Sequence, residues 1–126
     1  MKFATLKSNV SRDGELLVVS RDGKLAVKAA HVAPSLRHAM ESWESSAPKL
    51  QKIYDDLNAG KCADVFSLKS ENLHSPMPRA FQWADGSAFL HHVKLVRMAR
   101  KAEMPEKLYQ VPLMYQGGSD DFLSPT

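Results

Sequence analysis

Residues 83–96, WADGSAFLHHVKLV, hold one acid and two adjacent histidines in an otherwise apolar run. Aspartate oxygens bind hard cations, and histidine moves protons near neutral pH. Asp85 and His92 stand seven positions apart. On one helix that spacing would leave the two side chains only about 20° apart in direction and about 10 Å apart in height. The gap is too long for both to grip one metal ion. It suits a metal ligand at one end of a pocket and a general base at the other. His91 would point about 100° away. A plainer reading competes, because Asp85 precedes Gly86-Ser87, where a helix could open. An N-cap aspartate there would be worth about 1 kcal/mol. Helical histidines are more often packed or solvated than catalytic, so spacing alone leaves both readings open.

Other residues with chemical potential are weaker. The segment YQGGSDDF at 115–122 could offer backbone N–H groups to an anion. It lacks the Lys-Ser/Thr ending of a phosphate-binding loop and the spacing of a dinucleotide fingerprint. Asp120 and Asp121 would face opposite ways on an extended strand, which argues against joint chelation. A solvated turn is the favoured reading. His31, His38 and His74 show no metal-ligand spacing. Cys62, the single cysteine, follows Lys61, whose charge could lower a thiol pKa. A half-buried small residue is the simpler account.

Elements must position these groups. The chain has 126 residues, enough for one ordinary domain or two small pieces. It is 44% hydrophobic and 25% charged, which excludes a disordered chain. A net charge of +3, without a run of like charges, does not indicate a nucleic-acid partner. One cysteine cannot form an internal disulfide, and the N-terminus lacks the apolar stretch of a secretion signal. No stretch approaches the roughly 18 apolar residues of a membrane span. The expectation is a cytoplasmic protein.

Residues 1–30 read as three β-strands around KFATL, ELLVVS and KLAVKAA. SRDG occurs at 11–14 and again at 20–23, and Asp-Gly tolerates positive φ, so each copy predicts a tight reversal. From Pro34 the apolar positions Leu36, Met40, Trp43, Leu50, Ile53, Tyr54 and Leu57 recur at helical steps. Pro34 suits the helix start and Gly60 its stop. Pro48 predicts a kink or a second helix, with Ser46 as a candidate cap. The apolar stripe should pack on the β-meander. Residues 61–80 read as a linker, with a boundary near 70–76. A helix over GSAFLHHVKLVRMARKA follows, then loops and short strands. The predicted class is α+β: an N-terminal domain over residues 1–73, and the first helix and strands of a second, β-rich domain over 74–126.

The segment ADGSAFLHHVKLVRMARKAEMPEKLYQVPLMYQGGS resembles the start of the catalytic domain of the fumarylacetoacetate hydrolase family. The matching elements are an Asp followed seven positions later by a His, a basic position, Met-Pro, and a Pro-x-x-Tyr-x-Gly loop. With MPRAFQWADGS and LMYQGGSDDFLSP included, the whole chain resembles the N-terminal third of bacterial members. The resemblance implies a cytoplasmic, homodimeric hydrolase cleaving a carbon–carbon bond of a diketo acid such as fumarylacetoacetate. It implies that Asp85 is a ligand of Mg²⁺ or Ca²⁺, that His92 activates water, and that Tyr115 contacts substrate. Lys101, with Arg100 beside it, matches a contact to the substrate carboxylate. There the family's animal enzyme has arginine, whose two-pronged grip lysine lacks. Two positions after the aspartate that enzyme has an aromatic residue, and here Ser87 stands. The family's other acidic metal ligands lie beyond Thr126. The resemblance therefore implies an N-terminal part that is inactive by itself. The alternative is that residues 1–73 form a non-catalytic cap, packing on a catalytic barrel or a second subunit.

Overall fold

A computed structural model of the chain describes residues 1–120 and 122–126. Contacts divide it into two compact units, Met1–Ala80 with Asp120–Thr126, and Phe81–Ser119. The class is α+β.

The first unit is built on an antiparallel sheet of β1 (Lys2–Leu6), β2 (Glu15–Val19), β3 (Leu25–Lys28) and β4 (Phe66–Ser67), in that spatial order. The predicted meander gains a fourth strand from the supposed linker. Phe66 pairs with Ala26, too short a match to show in sequence. The continuous apolar run of β2 has a cause, because both of its faces are covered. Leu16 and Val18 join Ala39, Leu50 and Leu57 on the helix side. Leu17 and Val19 pack with Ala26, Phe66, Leu68 and Leu73 on the other.

The two SRDG copies behave differently. The second lies in a short 20–24 connection. The first ends a longer connection, 7–14, rather than a tight reversal. Gly14 there has φ 66°, and a Cβ on it would meet Thr5 and lie 2.6 Å from the Leu6 carbonyl oxygen. Gly23 has φ 77° and open space around it. Gly14→Ala is therefore expected to cost about 2–3 kcal/mol, against about 1 kcal/mol for Gly23→Ala. Urea titration of the two variants checks the order, and equal costs would contradict the packing described.

Helix α1 spans Leu36–Glu41 and α2 spans Trp43–Asn58. Ser35 caps α1, its Oγ accepting from the His38 N–H. The helices break at Ser42, whose φ of −119° and ψ of 39° are not helical. The second helix opens at Trp43 and not at Pro48, and Ser46 is not its cap; both residues lie inside α2. Pro48 is tolerated on an exposed face, where the carbonyl it leaves without a helical donor belongs to exposed Glu44. Gly60 follows the C-terminus of α2, and the Lys61 N–H donates to the Asp56 carbonyl at 2.8 Å.

The first unit continues past residue 73. Leu73 bridges to Leu6, and the His74 N–H donates to the Thr5 carbonyl at 2.9 Å. Arg79 grips Asp13, and the Phe122 N–H donates to the Pro78 carbonyl at 3.3 Å.

The second unit holds β5 (Ala84–Ser87) paired antiparallel with β6 (Leu113–Gln116), α3 (Leu90–Ala99) and a single 3₁₀ turn at Glu106–Tyr109. Among its described residues the buried apolar side chains are Val93 and Leu108. No helix among the described residues is long and apolar enough to cross a membrane.

Candidate functional site

Asp85 is not a helix cap. It lies on β5, and α3 begins only at Leu90, behind Phe89, which makes no side-chain cap. The cause is the partner strand: residues 84–87 find the backbone of 113–116, so Gly86 and Ser87 end a strand instead of opening a helix. Asp85 and His92 thus belong to different elements, and the seven-residue helical relation between them does not hold.

The register places Tyr115 directly opposite Asp85. Opposed residues share a face, with Cβ atoms about 4.5–5.5 Å apart. Trp83, two positions before Asp85, falls on the same face, and its ring centroid is 5.7 Å from that of Tyr115. Gly117 makes room for this indole, because any Cβ there would overlap it, while the Gly117 N–H donates to the Trp83 carbonyl at 3.0 Å. Tyr115 remains 63% exposed, so its ring and hydroxyl are accessible. Trp83 was absent from the candidates. The signal was its alternation with Asp85, legible only once residues 83–87 are known to be extended.

His91 and His92 occupy the first turn of α3, and both are exposed. His91 sits edge-on to Phe89 at 6.4 Å. Val93 is the buried residue of the helix, so neither imidazole lies on its buried side. At the other end, Arg100 is the C-cap. Lys101 follows with φ 53°, donating its N–H to the Met98 carbonyl at 3.0 Å, and the Ala102 N–H reaches the Arg97 carbonyl at 2.9 Å. This is the usual glycine position of a helix ending, here filled by lysine at a cost of about 1 kcal/mol.

The five candidates therefore form three placements: Asp85 with Tyr115 on the hairpin, His92 at the start of α3, and Arg100 with Lys101 at its end. A hard divalent cation takes about six or more oxygen ligands. Among the described residues no three His, Cys, Asp or Glu side chains converge to hold a metal, and Asp85 brings a single carboxylate. The residues present do not fit Mg²⁺ or Ca²⁺ as a complete site. Asp120 pairs instead with Arg12 at 3.1 Å. Asp121 lies outside the described residues.

The strongest electrostatic feature is elsewhere. Asp13, only 5% exposed, accepts from Arg79 Nε at 3.0 Å and Nη2 at 2.9 Å, and from Arg37 Nη2 at 3.1 Å. Hydrogen bonding to Arg79, opposed by burial and reinforced by Arg37, holds its carboxyl well below the usual carboxylate range.

These elements define an α+β protein with a sheet-and-helix N-terminal unit, joined to a second unit bearing an acid–aromatic hairpin. Residues 1–79 match the family model of the fumarylacetoacetase N-terminal domain 2, and the chain belongs to that family. No curated protein matches it. The matched segment ends beside Ala80, so all five candidate residues lie outside it.

Proposed function

We propose that this chain supplies the N-terminal domain and the first catalytic segments of a hydrolase that cleaves a carbon–carbon bond in a diketo acid such as fumarylacetoacetate. The observation that carries the reading is the match of residues 1–79 to a fumarylacetoacetase N-terminal domain. In the reaction, water adds to one carbonyl carbon and His92 takes its proton. The bond to the carbon between the two carbonyls breaks, and its electron pair leaves as an enolate. A proton then returns to that carbon. Tyr115 donates a hydrogen bond to a substrate oxygen, and Lys101 with Arg100 faces the substrate carboxylate. No step is assigned to a metal, because these residues do not complete a site for one.

A specific observation favours a second reading for part of the chain. The matched segment carries none of the candidate residues, which suits the reading of residues 1–73 as a non-catalytic cap.

The test of the hydrolase reading is release of fumarate and acetoacetate from fumarylacetoacetate by the protein that carries this chain, assayed with Mg²⁺ or Ca²⁺. Absence of turnover by folded protein would leave only the cap. For the chain by itself, calorimetric titration with Mg²⁺ is expected to show no site tighter than about millimolar, since one carboxylate cannot replace a hydration shell. Micromolar binding would overturn that account of Asp85.

A further inference from the structure

A cavity of about 660 Å³ opens in the first unit beside β3, α2 and the residues that follow α2. Its size is that of small-molecule sites. Val27 and Ile53, which pack on the helix side of the sheet, give it an apolar wall. The charged groups that line it sort by partner. Lys28 is engaged by Glu15 at 2.7 Å, and Asp56 by Lys52 at 2.6 Å. Lys61 and Asp64 line the same cavity and have no ion-pair partner among the described residues. Asp64 holds φ 55°, a left-handed conformation that aspartate and asparagine tolerate.

We propose that this cavity binds a small zwitterion with an apolar side group, the chemistry of a free aliphatic α-amino acid. The ammonium group pairs with Asp64, the carboxylate with Lys61, and the side group rests on Val27 and Ile53. Lys61 and Asp64 are both exposed and offer one charge of each sign; a simple anion or cation would engage one of them, and a zwitterion engages both. The inference goes beyond the hydrolase reading and does not depend on it.

Cys62 lines the cavity and is the chain's single cysteine, so its alkylation reports occupancy. L-leucine, raised to about 50 mM, is expected to slow iodoacetamide modification at least about fivefold. Isocaproate, which lacks the ammonium, and isoamylamine, which lacks the carboxylate, should each slow it less than about twofold. Lys61→Met and Asp64→Asn should each abolish the leucine effect, judged as the ratio of rates with and without leucine in the same variant. Asparagine retains tolerance of positive φ, and the amide NMR spectrum confirms that each variant is folded. No protection by leucine overturns the proposal. So does equal protection by isocaproate, or protection that survives in folded Asp64→Asn.

Discussion

Asp13→Ala is expected to destabilise the first unit by about 3 kcal/mol, read as a lower urea midpoint with an unchanged slope. The carboxylate is nearly buried and receives three charged hydrogen bonds. Its two arginines come from positions 24 and 66 residues away, so the ion cluster fastens α1 and the 73–80 segment to the β1–β2 connection. Arg37 keeps Glu41 at 2.7 Å, and Arg79, 39% exposed, can regain water. Both effects hold the cost at the low end for a broken ion pair. Because the native pKa is depressed, this contribution is complete above the ordinary carboxylate value of about 4. It is lost as the pH falls from there towards the native value. The stability gap between wild type and Asp13→Asn should therefore narrow below about pH 4. A gap that stays constant down to about pH 2 would remove the ionic cause.

Under the proposed hydrolase reading, His92→Ala is expected to lower kcat by about 10²–10⁴-fold, the usual worth of a general base. Substrate affinity should change little, since in that reading the imidazole acts on water. His92 is exposed at the start of α3, so its truncation costs little stability and the loss can be read as chemistry. His91→Ala supplies the comparison, because the adjacent imidazole turns about 100° away on the same helix. Equal losses in the two variants, or a loss explained by a lower melting temperature, would withdraw the role. Partial recovery by added imidazole in His92→Ala alone would support it.

Much of the first unit was legible because its signals are local. Alternation and two Asp-Gly turns mark β1 to β3, and apolar steps of three and four mark α1 and α2. What escaped depends on distant partners. Phe66–Ser67 is a strand only because β3 has a free edge beside it. Ala84–Ser87 has almost no intrinsic strand preference, and becomes extended because Leu113–Gln116 pairs with it. That single long-range pairing moved Asp85 from a helix cap to a position opposite Tyr115. Asp13 was hidden in the same way: inside SRDG it reads as turn chemistry, while its two arginines lie far along the chain. Pro48 misled for the opposite reason, since a local rule met an exposed helix face where water can replace the missing donor.

The hydrogen bond from the Asp120 N–H to the Ala80 carbonyl, 3.1 Å long, sets the two ends of the intervening 81–119 segment side by side. The polypeptide leaves the first unit and re-enters it at one point. In topological terms the second unit is a parenthesis. Closing such a gap costs chain entropy that grows only slowly with length. The first unit can therefore keep its own seam while the enclosed segment is lengthened, shortened or exchanged. Fold maintenance and candidate chemistry are thereby written in separable stretches of one chain.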